Sequence, residues 1–193
     1  MTRVGGDRSL PALAGAVLLA LSLSACLPGL SSGEGRTEEE WALDEPSGLY
    51  YRPDLIAQSA DPVEEHFPRL TDIAAVRWTD GRVTDPQGRA PIPAPDDGWW
   101  QAATDLGPEG VGELGAAASD GGGDVAVLEE SALRDQIVPT VEHYVEECPG
   151  PWKDVTGALS RAGSANVSEA GDLIALAALC EDTGQLVTSA RDM

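Results

Sequence analysis

The chain of 193 residues sets 12 Lys and Arg against 33 Asp and Glu, a formal charge of −21 at pH 7. That balance excludes most nucleic-acid roles, because phosphate binding depends on basic side chains releasing condensed counterions and Lys153 is the single lysine. The same charge repels anionic lipid head groups and wall polymers, and the length suits one domain of ordinary size.

In chain order, the first element is a leader. Arg3 and Arg8 precede an apolar run from Leu10 to Leu23, interrupted by Gly15 and Ser22, and the small residues Ser24 and Ala25 follow. This is the charged region, apolar region and small-residue cleavage site of an export signal over residues 1–25. The run is too short for a spanning helix, which needs about 20 predominantly apolar residues. Leu23-Ser24-Ala25-Cys26 resembles the cleavage and lipid-attachment box of bacterial lipoproteins at each of its four positions. The resemblance implies a diacylglyceryl group on the Cys26 thiol, cleavage before it, and acyl chains such as palmitate as the membrane anchor. One chain anchors only marginally, at about 0.8 kcal/mol per buried CH₂, so two or three make the attachment durable. The competing reading is a plain secretory signal with an incidental cysteine. Cleavage removes Arg3, Arg8 and Asp7 and takes the charge from −21 to −22.

Residues 26–46 follow as the lipidated cysteine and a flexible acidic tether, with Leu27-Pro28-Gly29-Leu30-Ser31-Ser32-Gly33 at its start and Glu38 to Glu40 before Trp41. Residues 47–193 are expected to form the globular domain. Ile73 to Trp78 reads as a strand, Asp80-Gly81 as a tight type I′ turn and Val83 as the start of the return, giving a hairpin near Trp78 with Val76 and Trp78 on one face. After a loop bearing Pro86, Pro91, Pro93 and Pro95, Trp99 to Thr104 reads as a second strand. It feeds a helix over 108–119, marked by proline in the first turn and by Val111, Leu114, Ala117 and Ala118 at helical spacing. Leu133, Ile137, Val141, Tyr144 and Cys148 predict an amphipathic helix over 131–147, kinked at Pro139 or starting near it. For residues 172–189 a Leu/Ala-rich helix and a hairpin turning at Glu181-Asp182-Thr183-Gly184 both fit. The need of the other strands for partners favours the hairpin. The expected fold is therefore α+β: a small single domain with a short antiparallel sheet packed on one or two helices.

With Cys26 assigned to lipid, Cys148 and Cys180 remain as an even pair in an oxidising compartment, and a disulfide is the natural inference. The alternative, a redox or metal pair, lacks a Cys-x-x-Cys spacing or a histidine at zinc spacing. Catalytic signals are weak throughout. Gly163-Ser164-Ala165 lacks the second glycine of a nucleophile elbow, and Lys153 has Gly150 rather than serine three residues before it. His66, between Glu65 and Phe67, has no partner at ligand spacing and reads as solvated or capping. His143 and Glu147 share a predicted helix face and supply two metal donors at most, where a site needs three or four. Asp96-Asp97 and Asp120 to Asp124 match no calcium loop and read as polar turns. Trp99 and Trp100 alternate across a strand, so one is expected in the core and the other exposed. Together with Trp78 they are the candidate binding residues.

A second resemblance lies in the whole pattern of lipid box, acidic Ala- and Gly-rich chain, Trp-Thr-Asp-Gly-Arg-Val segment, Trp-bearing strand and Pro-Glu helix start. It is similar to lipoproteins of actinobacteria, and it implies location rather than activity. The expectation is a lipid-anchored protein on the extracytoplasmic face of the cell membrane, non-enzymatic and cofactor-free, with no catalytic or metal-binding residues. It would bind a small ligand or an envelope protein. The alternatives are an extracytoplasmic hydrolase using acidic residues, discriminated by two carboxylates about 5–9.5 Å apart in a cleft, and a structural or assembly subunit with a large apolar face.

Overall fold

The structure, a computed structural model, describes residues 40–88, 97–120 and 125–192. Cys26 and its box, the start of the tether, Pro91 to Asp96 and Gly121 to Asp124 lie outside the described residues. Eight strands form one antiparallel sheet: β1 Ala42–Asp44, β2 Leu49–Tyr51, β3 Ile73–Arg82, β4 Gly98–Leu106, β5 Val127–Leu128, β6 Trp152–Asp154, β7 Leu173–Cys180 and β8 Gln185–Arg191. Their order across the sheet is β1-β2-β3-β4-β8-β7-β6-β5. The five described helices are short except one: α1 Asp61–His66, α2 Pro108–Ser119, α3 Glu130–Arg134, α4 Pro139–Glu142 and α5 Thr156–Leu159.

This corrects the α+β expectation. The protein is mainly β, with one wide sheet rather than a short one resting on helices. Four of the eight strands are only two or three residues long, too short for a period-two pattern to register in sequence. β1 also draws Ala42–Asp44, within the expected tether, into the sheet through Ala42↔Tyr51 and Leu43↔Tyr50 pairing.

Both faces of the sheet are covered. On one, Val76, Trp100, Ala102, Leu106, Leu186 and Ile174 meet Val63 and Phe67 around α1, Leu114 of α2 and Leu159 of α5. On the other, Trp99, Ala103, Val187, Leu176 and Ala178 meet Leu133, Ile137, Val141 and Trp152. A strand buried on both faces reads as a continuous apolar run, a signature more familiar from parallel sheets. That is why Leu173-Ile-Ala-Leu-Ala-Ala-Leu-Cys180 fits a helix as well as a strand in sequence, although it pairs with β8 in the expected hairpin, with one register shift between Ile174 and Leu176.

The expected turn at Asp80-Gly81 does not form. β3 runs straight through it, with Asp80 opposite Trp100 and Gly81 opposite Trp99. The glycine is present for close approach rather than for reversal: a Cβ there would lie 2.1 Å from the Tyr50 carbonyl oxygen and 2.4 Å from the Trp99 ring. The chain reverses farther on, beyond Val83, whose N–H bonds the Asp97 carbonyl at 2.9 Å.

The predicted helix over 131–147 is also replaced. It becomes α3 and α4, separated at Asp135–Val138, and proline at the first position of α4 accounts for some of the break. Two buried glutamines account for the rest. Gln101 on β4 donates to the Gln136 carbonyl at 2.9 Å and accepts from the Val138 N–H at 2.8 Å. Gln185 on β8 donates to the Tyr144 carbonyl at 2.9 Å and accepts from the Glu146 N–H at 2.8 Å. These side chains take backbone groups that a continuous helix would have paired internally. Cys148 and Cys180 are joined by a disulfide, Cα to Cα 5.9 Å, and fasten the end of the same segment to β7.

By contrast, α2 lies where proline and helical spacing placed it, with Leu114 buried. Its N-terminus is held by Asp72, whose carboxylate accepts from the Glu109 N–H at 3.2 Å and whose carbonyl accepts from the Gly107 N–H at 2.7 Å. Asp72 itself adopts φ 55°, a conformation aspartate tolerates better than most residues.

Candidate functional site

Antiparallel register places Trp78, Asp80 and Arg82 of β3 on one face, opposite Ala102, Trp100 and Gly98 of β4. Gly98 has no side chain to fill the space across from Arg82, and the Asp192 carboxylate lies over it, 2.2 Å from where a Cβ would stand. The result is a cavity of about 470 Å³ at this end of the sheet, bounded by Trp41, Trp78 and Trp100, by Arg52, Asp80, Arg82 and Asp192, and by His66 of α1. Its volume falls in the roughly 300–1,000 Å³ range of small-molecule sites.

One wall is braced by a cation between an acid and a ring. Arg52 Nη2 donates to Asp80 Oδ1 at 2.9 Å, and the guanidinium carbon stands 5.4 Å from the centre of the Trp41 ring. On the other wall His66 lies against Trp100, ring centres 4.6 Å apart. His66 Nδ1 is 3.1 Å from Asp172 Oδ2, with both side chains largely buried (15% and 14% exposed). The same Asp172 oxygen accepts from Trp100 Nε1 at 3.1 Å. Fully buried Ser168 completes the group, its hydroxyl oxygen accepting the Asp172 N–H at 3.1 Å and standing 3.4 Å from His66 Nδ1.

Serine, histidine and aspartate thus meet, yet not as a nucleophilic relay. A relay places serine and carboxylate on opposite ring nitrogens, whereas here both stand at Nδ1. What the arrangement does is orient the ring. A carboxylate on Nδ1 fixes a hydrogen there and sets the ring plane, so that in the neutral ring Nε2 is the acceptor.

Not all of the sequence-predicted binding residues converge. Trp78 and Trp100 share the cavity face as β3 and β4 neighbours, and Trp78 Nε1 is buried with no hydrogen-bond partner among the described residues. Trp99 borders the cavity beside Gly81 but packs into the opposite core, where its Nε1 donates to the Arg82 carbonyl at 2.9 Å. Trp99 and Trp100 do face opposite ways, but neither is exposed (2% and 6%), because both sheet faces are covered. His66, read as solvated or capping, instead has a carboxylate partner far along the chain at Asp172. His143 and Glu147 share no helix face, since α4 ends at Glu142. Asp97 is buried and accepts from the Thr84 N–H at 2.7 Å and from the Thr84 hydroxyl. Ser164 sits in a loop and accepts from Arg161 Nε at 3.1 Å.

A larger concavity of about 720 Å³ lies between α2 and the β7–β8 turn, lined by Val111, Gly112, Gly115, Glu181 and Thr183. Its lining residues include no aromatic side chain, and the Glu181 carboxylate on its wall is paired with Lys153 Nζ at 2.5 Å. Among the described residues no group of three or more His, Cys, Asp or Glu is placed to hold a metal ion, and no helix is long and apolar enough to cross a membrane. Compared with known proteins, the chain matches no family model, no curated protein and no solved structure.

Proposed function

We propose that this is a lipid-anchored protein of the extracytoplasmic face of the cell membrane, whose domain binds a small ligand in the tryptophan-walled cavity at the β3–β4 end of its sheet. The observation that carries the binding reading is the convergence of Trp41, Trp78, Trp100, Arg52, Arg82, Asp192 and His66 on one cavity. Aromatic walls with a few placed polar groups are the usual composition of such sites. We read the role as non-enzymatic: Ser168 and Asp172 both stand at Nδ1 of His66, which orients the ring without building a relay, and the Asp80 carboxylate is engaged by Arg52. The anchor rests on Leu23-Ser24-Ala25-Cys26, and the strongly acidic domain would be repelled by the anionic surface to which its lipid is attached.

Two measurements test this reading. The mass of the mature N-terminus from a membrane fraction should show Cys26 as the first residue carrying diacylglyceryl and acyl groups; an unmodified Cys26 refutes the anchor. Crosslinking from native membranes should capture a ligand or partner that Arg82→Met and Trp78→Leu lose, and identical capture by all three chains refutes the cavity.

A further inference from the structure

We infer that the cavity takes a neutral, hydroxyl-rich ligand of the saccharide class, with His66 Nε2 as a hydrogen-bond acceptor that Asp172 holds in place. This rests on reading the same cavity as a binding site. Three observations select the ligand class.

The first is charge. In a chain of −21, the fixed charges lining the cavity balance, Arg52 and Arg82 against Asp80 and Asp192. A cationic or anionic ligand would unbalance that set, whereas a neutral ligand leaves it balanced. The second is the mixture of polar roles. Arginines only donate, aspartates only accept, and a hydroxyl is the group that does both at one atom. The third is the apolar wall. Tryptophan surface suits a ligand that alternates C–H faces with hydroxyl edges, as a sugar ring does.

His66 adds direction. Its Nδ1 is turned to Asp172 and Ser168, so Nε2 is the ring's remaining polar atom, and the residue borders the cavity. Trp100 holds the arrangement twice, through its ring against the imidazole and through its Nε1 on the same Asp172 oxygen. The imidazole therefore meets a ligand hydroxyl as a preset acceptor, which limits the ordering cost of binding. His66 acts on the ligand directly; Asp172 and Trp100 are positioning residues.

The test uses the full chain in detergent, titrated calorimetrically with glucose, galactose, mannose, cellobiose and maltose, with inorganic phosphate and glycylglycine as charged and zwitterionic probes. At least one saccharide should bind saturably while phosphate and glycylglycine give no heat. His66→Ala should weaken binding about 5- to 10-fold, the worth of one hydrogen bond, and His66→Gln, which keeps an acceptor, should recover most of it. Nitrogen-15 shifts of the His66 ring in the unaltered chain should report hydrogen on Nδ1, and hydrogen on Nε2 overturns the role given to His66 even where the variants do not fold. Binding of phosphate or glycylglycine without any saccharide overturns the ligand class and leaves the cavity reading standing. Silence from every probe overturns the saccharide inference. The cavity reading falls with it only if Arg82→Met and Trp78→Leu also leave capture from native membranes unchanged.

Discussion

The two faces of the sheet are both covered, but to different ends. On the Trp99 and Trp152 face, buried polar side chains are used to fasten: Gln101 and Gln185 hold the backbone of residues 136–146, and the disulfide locks the end of that segment. On the Trp78 and Trp100 face, helices cover most of the sheet, but the β3–β4 end is left as a cavity with charged groups of both signs on its walls. One face is closed by hydrogen bonds that must all be made, and the other keeps a space where Gly98 offers no side chain opposite Arg82. Stability and binding should therefore separate by face.

The sharpest way to break that contrast is Trp152→Ala, which empties a buried site on the fastened face and should cost about 4 kcal/mol in urea unfolding, with ligand affinity unchanged in the fraction that folds. Reducing the disulfide comes next. Its sequence separation is 32, and opening a loop of that size should lower stability by about 3–4 kcal/mol; a change below about 1 kcal/mol would mean that the glutamines alone hold the segment. Gln101→Leu should cost about 1–3 kcal/mol, because it leaves the buried Val138 N–H without its partner. Hydrogen exchange should then accelerate at Val138 ahead of the β4 amides. At the small end, Arg82→Met on the open face should shift stability by less than about 1 kcal/mol while weakening binding. Equal losses of stability from Arg82→Met and Gln101→Leu would erase the distinction between the faces.

Some of this organisation can be read from sequence, and the physics says which features. α2 announces itself by proline in its first turn with Val111 and Leu114 at helical spacing, and the β7–β8 hairpin by its turn residues. Both are local signals. The wide sheet is not local, because β1, β2, β5 and β6 are formed by what lies beside them rather than by their own pattern. Asp80-Gly81 misleads because the same dipeptide serves a turn when its neighbours are open and a close crossing when a tryptophan ring fills the space. Residues 131–147 mislead because a helix-period stripe says nothing of glutamines on strands elsewhere that bind the backbone first. Of the site, Trp78 and Trp100 are visible as aromatic strand residues. His66 and Asp172 are not, since nothing in a chain marks two residues that meet only after strands and helices have been laid between them.

The chain-order run β1-β2-β3-β4 at one side of the sheet carries a mechanical consequence. Tension applied at the N-terminus, where the proposed anchor lies, would load that run from its outermost member. Antiparallel pairs pulled from a free end unzip rung by rung instead of shearing together, and β1 offers only three residues of resistance. Trp41 precedes β1 and Arg52 follows β2, so the first rungs to open would dismantle one wall of the cavity while the disulfide-locked far side stayed folded. Grip on a ligand would thus be lost at forces well below those that unravel the domain.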